Sequence, residues 1–545
     1  MFVDCPELLS SAKEEADGHD NNEHQNYQQA CKSIAALLES SKNLLSIKQV
    51  LRVFRQVASE YNLDRIPRNE HIIRYLEDSR YRHLLMVKPA KTASGVAVIA
   101  VMPKPYECPH GRCVYCPGGL EFNTPLSYTG TEPATKVAQR FSYDPYEQVR
   151  SKMDHLQSRG HDVGKTEIVI VGGTFPFMPV DYQRHFAKSC YDALNGEKSS
   201  TLQQAIASNE TAEKRCVGFT VETKPDYCKR LHIDLMLELG VTRIEIGVQS
   251  LNNKVYKLVN RGHTLDDVVH AFKVARDAGY KIVAHMMPGL PGSSPKEDIK
   301  DFRRLFEDDS FKPDMLKIYP TLVLEHTGLY NMHKSGKYHA YSDDELVNII
   351  VEAKKVVPEW VRIMRMQREI ESKDIIAGPK SGNLRQIVLK NLRQQGHTCR
   401  CIRCRETGLQ RRYPSEKEVE LRRIDYNASG GREIFLSYES KGGDTILGFL
   451  RLRKVARPHR DELEGSAVVR ELHIYGQVIN IGRSDRGDSY QHRGLGMKLL
   501  KEAERISKEE LRVNKIAVIS AVGTRQYYKK LGYQQDGPYV SKVLQ

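Results

Sequence analysis

Three cysteines in one short, turn-rich stretch are the first residues of this chain with an evident chemistry. Cys108, Cys113 and Cys116 follow a C-x4-C-x2-C spacing within YECPHGRCVYCPGG. Thiolates select iron–sulfur clusters or zinc, and a closed structural zinc site needs four ligands. Three thiols without a nearby fourth suit a four-iron cluster whose remaining iron is free to bind another group. The alternative is a zinc site completed by His110 or by a distant cysteine.

A second thiol group lies far along the chain. Cys399, Cys401 and Cys404 are spaced C-x-C-x2-C, and His397 is close to them in sequence. Three thiolates and one imidazole would close a tetrahedral zinc site. The alternatives are a second iron–sulfur cluster and a fourth zinc ligand that comes from a histidine elsewhere.

A glycine motif near the C-terminus indicates a phosphate-binding site. Gln491, Gly494 and Gly496 in QHRGLGMKLL follow a strand-like segment and open a helical one. Free N–H groups at the start of a helix bind phosphate oxygens, and glycines let the backbone approach the ligand closely. The motif therefore predicts a site for the pyrophosphate of a coenzyme.

The composition is that of a soluble protein with several domains. The chain has 545 residues, too many for one ordinary core, and its 40% hydrophobic and 28% charged residues are typical of globular proteins. It contains no apolar run of about 18 residues that would span a membrane, and its N-terminus lacks the features of a signal peptide. Eleven cysteines, odd in number and partly grouped, favour metal sites in a reducing cytosol over disulfides. We therefore expect a cytoplasmic protein without a membrane segment.

The charge of the chain is distributed unevenly and predicts a polyanionic partner. The formal net charge is +14, yet residues 1–28 carry seven acidic side chains and one lysine. Residues 41–91 carry eleven Lys or Arg against five Asp or Glu, interleaved with tyrosines. Arginine pairs with phosphate and tyrosine stacks on unpaired bases, so this pattern favours RNA over a merely solvated helical face. The cations predicted to bind RNA are Arg65, Arg68, Arg74, Arg80, Arg82 and Lys88.

Strand-like and helical segments alternate through the middle of the chain. Buried strands are predicted at 166–175, 216–225, 243–250, 281–290 and 315–321, with amphipathic segments between them. This alternation predicts parallel βα units in a whole or partial barrel. Active sites in such folds lie at the carboxyl ends of the strands.

The same features divide the chain into five predicted parts. The last of them is an antiparallel-looking series of strands with one helix, GMKLLKEAERISKEE, before its final long strand. The predicted fold class is therefore α/β followed by α+β, with a small helical N-terminal region. The parts are a mobile acidic tail (1–30), a basic helical RNA-binding region (31–92), a βα barrel domain (93–390), a zinc-binding linker (391–415) and an α+β domain (416–545).

Two sets of motifs resemble known enzyme families. The cysteine loop, the Gly172-Gly173 pair after a strand, and the strings IGVQS and MPGLPG resemble the radical S-adenosylmethionine enzymes. That resemblance implies a [4Fe-4S] cluster on Cys108, Cys113 and Cys116, with S-adenosylmethionine on its open iron as the source of a 5′-deoxyadenosyl radical. The Q-x-x-G-x-G motif and the string TRQYYKKLGY resemble the GNAT acetyltransferases, which implies acetyl-CoA as a second cofactor.

Together the two domains resemble the catalytic subunit of Elongator in a stand-alone form. The likeness is carried by strings such as SYTGTEPA, FTVETKPDYC, VAHMMPGLPG and LKIYPTLV, and it covers nearly the whole chain after about residue 30. The resemblance implies an enzyme that makes 5-carboxymethyluridine at the wobble position of tRNA. In this family the thioester of acetyl-CoA is hydrolysed once tRNA is bound, and the acetyl methyl carbon becomes bonded to C5 of the uridine.

The resemblance also implies the partners of the chain. They are the anticodon stem-loop of tRNA and an electron donor for the cluster, while monomer and homodimer both remain open. Family members in larger complexes have a longer gap between the first two cysteines and lack the 399–404 triplet. We therefore expect that the other Elongator subunits are not required.

Several residues acquire expected roles through this resemblance. Lys165 corresponds to a family lysine that contacts acetyl-CoA, and Tyr527 or Tyr528 would assist thioester cleavage. Lys317, in a predicted barrel strand, is expected to face the cavity and to take part in catalysis. The expected coenzyme pocket comprises Glu471, Leu472, His473, Ile474, Gln491, Gly494, Leu495, Gly496, Met497 and Tyr528.

Two rival functions are compatible with parts of the sequence. The first is a protein lysine acetyltransferase with a structural iron–sulfur domain, against which the net charge of +14 counts because the peptide substrate would be basic. The second is an RNA-binding scaffold with relic sites, against which the intact motifs of both domains count.

Overall fold

The computed structural model describes residues 20–41, 43–455, 457–476 and 494–545. Two compact units account for these residues. One lies within Met1–Pro89 and Asp154–His161, and the other within Ala90–Met153 and Asp162–Gln545. None of the helices in the described ranges combines the length and the apolar character needed to cross a bilayer.

Helices form most of the first unit and connect the strands of the second. Short polar side chains cap the N-termini of several helices. For example, the side chain of Thr264 accepts a hydrogen bond from the amide of Asp267, and that of Ser342 accepts one from the amide of Glu345. The helices in the described ranges are α1 (Asp20–Glu39), α2 (Ile47–Glu60), α3 (Asn69–Ile72), α4 (Ser79–Leu85), α5 (Pro133–Arg140), α6 (Pro145–Gln157), α7 (Val180–Asn195), α8 (Leu202–Asn209), α9 (Arg230–Glu238), α10 (Asn253–Leu258), α11 (Leu265–Asp277), α12 (Pro295–Glu307), α13 (Gly328–Lys334), α14 (Asp343–Val356), α15 (Leu384–Gln394), α16 (Ile402–Arg405), α17 (Thr407–Gln410), α18 (Leu495–Glu509) and α19 (Arg525–Lys529).

The first unit has its own apolar core. Ile34 and Leu38 of α1 are buried with Val50, Phe54 and Val57 of α2, at the helical spacing seen in the sequence. Residues 20–30, which the sequence analysis placed in a mobile tail, belong to α1, which begins at Asp20 and buries Ala30. The remainder of that tail, residues 1–19, lies outside the described residues.

Seven parallel strands form the larger sheet, here called the barrel sheet. Its spatial order is β1-β2-β3-β4-β5-β6-β8, so strands that follow one another along the chain lie side by side, with only the short β7 left out. The sheet curls into an open half-barrel. The predicted βα barrel fold is confirmed. Its strands are β1 (Ala97–Val101), β2 (Lys165–Ile170), β3 (Arg215–Thr223), β4 (Arg243–Gln249), β5 (Lys281–Met286), β6 (Met315–Ile318) and β8 (Arg362–Arg365), while β7 (Val323–Leu324) and β9 (Ile375–Ala377) form a separate pair.

The barrel strands are shorter than their apolar runs suggested. The strand predicted at 166–175 ends at Ile170, and the one predicted at 281–290 ends at Met286. After β2 the backbone of Gly172 (φ +125°) and Gly173 (φ +99°) turns away from strand geometry. The residues that follow the carboxyl ends of β2 and β5 belong to loops that line a cavity. They are apolar because they are partly buried there, although they do not form strands.

The second sheet, here called the C-terminal sheet, has the spatial order β10-β11-β12-β13-β14-β16-β15. The expected antiparallel series is wrong at one junction, because β13 and β14 pair in parallel. The helix α18 crosses over between these two strands, and such a crossover returns the chain in the same direction. The strands are β10 (Val419–Ala428), β11 (Gly431–Ser440), β12 (Ile446–Lys454), β13 (Ser466–Ile474), β14 (Lys515–Val518), β15 (Gln534–Asp536) and β16 (Tyr539–Val543).

Candidate active sites

A cavity of about 180 Å³ lies at the carboxyl ends of the barrel strands and is here called the cluster cavity. All three cysteines of the C-x4-C-x2-C loop line it. The loop is anchored by hydrogen bonds from Val114 N to Val259 O at 3.1 Å and from Cys116 N to Cys113 O at 3.0 Å. The tertiary fold therefore directs the three thiols into one cavity.

The spacing of these thiols suits a multi-atom cluster better than a single ion. Zinc holds sulfur at about 2.3 Å, so tetrahedral thiol ligands are only about 3.8 Å apart. Within the described residues, Cys108, Cys113 and Cys116 do not form a group whose sulfurs all lie within 4.8 Å of one another. The donor set, its spacing and the adjoining cavity fit a [4Fe-4S] cluster.

Cationic side chains lie next to the cysteine loop. Arg261 Nη1 is 3.8 Å from Cys113 Sγ, and Lys224 Nζ is 2.8 Å from Nδ1 of His110. Burial, with help from the charge of Lys224, lowers the pKa of His110 to about 4, so the imidazole is neutral. Because Nδ1 accepts from Lys224, the proton is on Nε2, which faces Cys113 Sγ at 3.3 Å. Positive charge beside the loop favours thiolates as ligands.

Gly172 and Gly173 lie where the sequence predicted a cofactor-binding loop. Gly173 lines the cluster cavity, and the amide of Gly172 donates to Oε2 of Glu222 at 3.1 Å. A Cβ on Gly172 would meet Met102, Pro103 and Pro125, each at 3.3 Å. The bare backbone is therefore needed for the loop to pack beside the cysteines.

Three buried polar side chains extend from the wall of the cluster cavity into the barrel. Oε2 of Glu245 accepts from Nε2 of His285 at 2.8 Å and from Nζ of Lys317. Burial opposes ionisation of Glu245, but Lys317 and His285 outweigh it and hold the pKa of this carboxyl well below its usual range. Lys317 is thus bound to a residue that lines the cluster cavity but does not line it itself, and its expected role in catalysis stays a prediction. The sequence analysis missed Glu245 and His285, although their strands were predicted.

The C-terminal sheet opens beside the predicted coenzyme residues. β13 and β14 pair only from Ser466/Lys515 to Val469/Val518, and β13 then continues to Ile474 with β12 as its partner on the other side. A cavity of about 100 Å³, here called the interface cavity, occupies this opening. Glu471, Leu472, His473 and Tyr528, all predicted for the coenzyme pocket, line it.

The start of α18 lies where the glycine motif predicted a phosphate-binding site. Gly494 (φ +81°) precedes the first turn, which contains Leu495, Gly496 and Met497. A Cβ on Gly496 would lie 3.2 Å from the hydroxyl of Tyr527 and 3.7 Å from Ile474. The first turn of a long helix with a glycine at close quarters can bind a pyrophosphate through its N–H groups. The predicted ligand Gln491 lies outside the described residues.

The paired tyrosines have different environments. Tyr528 is 6% exposed and lines the interface cavity, whereas Tyr527 is 40% exposed, with its hydroxyl near Gly496. Burial, with a smaller contribution from Tyr527, holds the pKa of Tyr528 well above its usual value, so its hydroxyl keeps its proton. Tyr528 is thus the one of the two that could donate a proton inside the cavity.

Lys165 lies at the start of a barrel strand, close in sequence to a residue of the interface cavity. Lys165 begins β2, two residues before Glu167, which lines the interface cavity. Burial lowers the pKa of Lys165 to about 8, and Asp162 partly opposes this effect. Two more cavity residues, Arg243 and Lys281, begin β4 and β5, and the sequence analysis missed both.

The second thiol triplet forms a tight group. The sulfurs of Cys399, Cys401 and Cys404 lie within 4.8 Å of one another, close to the spacing for one zinc ion. Lys354 is buried beside them, with Nζ 3.1 Å from Cys399 Sγ and 3.8 Å from Cys404 Sγ. His397 is not brought into this group; it is exposed, and its Nδ1 lies 2.8 Å from the carbonyl of Gln395.

The six cations predicted to bind RNA are all exposed in the first unit. Arg80 is neutralised by Asp78 at 2.6 Å, and Arg68 is 3.9 Å from Glu70. For Arg65, Arg74, Arg82 and Lys88, no carboxylate of the described residues lies within 4.0 Å. These four are therefore the predicted RNA-binding cations whose charge no carboxylate of the described residues neutralises.

Family models match this chain along most of its length. They are the ELP3 N-terminal domain (residues 27–93), the radical SAM superfamily (103–306), the radical SAM C-terminal domain (313–394) and the acetyltransferase (GNAT) family (403–533). The expected pairing of a radical S-adenosylmethionine domain with a GNAT domain is therefore confirmed.

Known proteins are similar over nearly the full chain. A tRNA uridine(34) acetyltransferase of Methanocaldococcus jannaschii is 45% identical over 490 residues, covering 88% of this chain and 91% of that protein. Elongator complex protein 3 of Homo sapiens is 45% identical over 510 residues, covering 90% and 93%. The solved structure of Methanocaldococcus infernus Elp3, lacking its residues 1–46, superposes with a TM-score of 0.74 at 42% identity, over 83% of this chain and 100% of that one. The chain therefore belongs to the Elongator complex protein 3 family, in which the archaeal tRNA uridine(34) acetyltransferases are also found.

Proposed function

We propose that this chain is a transferase that modifies the wobble uridine of tRNA and that it attaches a carboxymethyl group to C5 of the base. The acetyl group of acetyl-CoA supplies the two carbons. The family supports tRNA wobble modification, and the presence of both cavities on one sheet supports the combined chemistry. An S-adenosylmethionine radical at the cluster cavity supplies the means to activate a C–H bond.

One geometric observation carries this proposal. Alternate residues of β4 line both cavities: Arg243 the interface cavity, and Glu245, Gly247 and Gln249 the cluster cavity. Side chains two residues apart point to the same side of a strand, so both cavities open on the same face of the barrel sheet. The six residue steps from Arg243 to Gln249 span about 20 Å. An acetyl group held at one end therefore lies on the face of the sheet that also carries the cluster cavity.

The residues around the cluster cavity would bind and orient the reactants. Cys108, Cys113 and Cys116 would hold the [4Fe-4S] cluster, and Gly173 would contribute to the S-adenosylmethionine site. Oε1 of Glu245 is buried and has no hydrogen-bond partner among the described residues. It is an acceptor in the cavity wall for an N–H group of the substrate, and N3–H of uracil is such a donor. Lys317 and His285 keep this carboxylate charged.

The thiol triplet would serve a structural purpose in the same enzyme. We infer that Cys399, Cys401 and Cys404 hold a zinc ion between the two domains, with a fourth ligand that the described residues do not supply. The tight sulfur spacing supports one ion over a second iron–sulfur cluster.

An anaerobic reaction tests the proposed function. Reduced protein is incubated with S-adenosylmethionine, tRNA and acetyl-CoA labelled with ¹³C at both acetyl carbons, and the nucleosides are analysed by mass spectrometry. We expect a carboxymethyluridine that carries both labelled carbons, together with 5′-deoxyadenosine and free coenzyme A. Unmodified uridine despite 5′-deoxyadenosine formation would refute the proposal. Acetylation of added lysine peptides in place of uridine would favour the rival protein acetyltransferase.

Acetyl-CoA binding should depend on the charge of Lys165. Because the pKa of Lys165 is lowered to about 8, its ammonium is lost as the pH rises from 7.5 to 9.5. A hydrogen bond from a charged group contributes about 1.5–3 kcal/mol, so affinity for a non-hydrolysable thioether analogue should fall about tenfold or more over this range. Calorimetric titration at several pH values measures the change.

The matched variant for that experiment is Lys165→Arg. Arginine stays charged throughout this range, so its binding curve should be flat with pH. Lys165→Met should bind weakly at every pH. A wild-type affinity that does not change between pH 7.5 and 9.5 would show that the charge of Lys165 does not contribute to binding.

tRNA binding should depend on the uncompensated cations of the first unit. Arg74→Gln should weaken binding and reduce the slope of log affinity against log salt by about 0.7–0.9, the effect of one lost phosphate contact. Arg80→Gln is the control, because Asp78 already neutralises Arg80. Filter binding at several salt concentrations gives both slopes, and equal effects of the two variants would contradict this assignment.

A further inference from the structure

The interface cavity has walls from both domains. The C-terminal sheet contributes Glu471, Tyr528 and the backbone where β13 leaves β14. The barrel sheet contributes Arg243 and Lys281, the first residues of β4 and β5, and Glu167, the third residue of β2. At about 100 Å³ the cavity exceeds the roughly 30 Å³ that one water occupies in the liquid, so it has room for a group the size of an acetyl thioester.

Lys281 brings a positive charge into this cavity without a carboxylate partner. Its Nζ donates to the hydroxyl of Thr242 at 3.3 Å, and no carboxylate of the described ranges lies within 4.0 Å of it. Glu471, the acidic residue of the opposite wall, is instead bound by Arg451 at 2.9 Å. Burial lowers the pKa of Lys281; the charge of Glu471 opposes this effect, and that of Arg243 adds to it. An ammonium in this position has unused capacity to donate hydrogen bonds.

Arg243 adds a second unused donor. Its side chain is buried, and Nη2 forms an ion pair with Oε1 of Glu167. Its Nε–H, by contrast, has no hydrogen-bond partner among the described residues. A buried N–H without a partner is destabilising, and an oxygen of a ligand in the cavity would accept its hydrogen bond.

We propose that Lys281 and Arg243 bind the carbonyl oxygen of the acetyl thioester and stabilise the negative charge that develops on it during hydrolysis. This inference rests on the proposed function and assigns the thioester-cleaving site to both domains jointly. The oxygen of a water molecule bonds to the carbonyl carbon, and the π electrons move to the carbonyl oxygen facing the two cations. The C–S bond then breaks with its electron pair going to sulfur, which takes up a proton from Tyr528. The products are acetate, coenzyme A and one proton, and the proton released from the water restores Tyr528.

This arrangement has a consequence for the order of events. Acetate formed here stays bound between two cations at the start of the barrel strands. It then lies two residues of β4, about 7 Å, from Glu245, which lines the cluster cavity on the same face of the sheet. The barrel domain thus participates in thioester cleavage before any radical chemistry takes place.

Lys281→Met tests the proposal because methionine has a similar length and no charge. Loss of one oxyanion donor costs about 10²–10³-fold in kcat, so tRNA-stimulated release of coenzyme A should fall by at least about a hundredfold. The KM for acetyl-CoA should stay within about threefold, since the donor acts mainly on the developing charge. Lys281→Arg should recover part of the rate, and the exposed Lys296→Met should behave as wild type.

Thermal unfolding separates this role from a structural one. Because the charge of Lys281 is poorly compensated, Lys281→Met should melt at the wild-type temperature or above it. A melting temperature that falls together with activity would overturn the proposal. Arg243→Lys is the second variant: it keeps the ion pair with Glu167 and removes the Nε–H, and it should lower kcat at least about tenfold.

Three outcomes are distinguishable. If wild-type protein does not release coenzyme A in the presence of tRNA, the proposed function itself is wrong. If wild-type protein does so and both Lys281→Met and Arg243→Lys keep kcat within about threefold, the inference about the two cations is overturned. Selective loss of kcat in both variants, with unchanged tRNA affinity, supports it.

Discussion

Replacing Cys116 with serine should abolish both 5′-deoxyadenosine formation and uridine modification, by a factor on the order of 10³ or more. Burial raises the pKa of the Cys116 thiol to about 11, so the side chain is well suited to ionise only when it binds a metal. A serine hydroxyl does not replace a thiolate in an iron–sulfur cluster. Iron content, the visible absorption of the anaerobically reconstituted protein and 5′-deoxyadenosine yield measure the effect.

Cys228→Ser is the matched control for this experiment. Cys228 is buried in the same unit, with its Sγ 4.0 Å from the carbonyl of Ala271, and it does not line the cluster cavity. This variant should therefore keep its iron and its activity. A Cys116→Ser protein that retains the full iron content and still cleaves S-adenosylmethionine would remove Cys116 from the ligand set.

Arg470→Met should lower the free energy of unfolding by about 3–5 kcal/mol, the cost of leaving buried charges without a partner. Arg470 is fully buried and forms a two-pronged ion pair with Asp314, at 2.8 and 2.6 Å. It also donates to Oε2 of Glu433 at 3.1 and 2.9 Å and to the carbonyl of Tyr280 at 2.8 Å. All five of its N–H donors are thus used, and they join the barrel sheet to the C-terminal sheet.

The exposed Arg432 provides the comparison for Arg470. Its ion pair with Asp425 joins side chains that are 45% and 37% accessible, and such surface pairs contribute about 0–1 kcal/mol. Arg432→Met should therefore shift the midpoint of urea unfolding little. A shift for Arg470→Met no larger than that for Arg432→Met would show that the buried charges relax without cost.

At acidic pH the difference in the free energy of unfolding between wild type and Arg470→Met should become smaller. Burial opposes ionisation of Asp314, but Arg470 and Arg451 outweigh it and hold the pKa well below the ordinary value of 3.8. A carboxyl with a lowered pKa stabilises the folded state fully above its unfolded value and loses that contribution as the pH falls towards the folded value. The two unfolding curves should therefore converge below about pH 4.

The sequence also determined a good part of the site through local spacing. Cys108, Cys113 and Cys116 lie within nine residues, so a single loop brings them together in almost any fold. The glycine motif before α18 is equally local, because a helix start and its phosphate-binding N–H groups need only a few consecutive residues. Strand–helix alternation then predicted the barrel, since each buried strand and each amphipathic helix has its own periodicity.

The fold assembled other sites from residues that are distant in sequence. Glu245, His285 and Lys317 come from three strands and meet only because parallel strands align their side chains on one face. Nothing in the spacing of these residues indicates a common site. Lys354 and His397 show the converse: the histidine close in sequence stays outside the thiol group, while a lysine from α14 lies beside it.

The sequence alone therefore determined two chemical features. One is a three-thiol loop for a radical cofactor and the other is a helix start for a coenzyme, and each is specified by residues within one turn or loop. Only the tertiary structure decided how these chemistries are connected. It separated Tyr528 from Tyr527, and it brought Arg243 and Lys281 of the barrel strands to the opening between β13 and β14. The physical reason is that side-chain orientation depends on strand register and domain packing, which no single segment specifies.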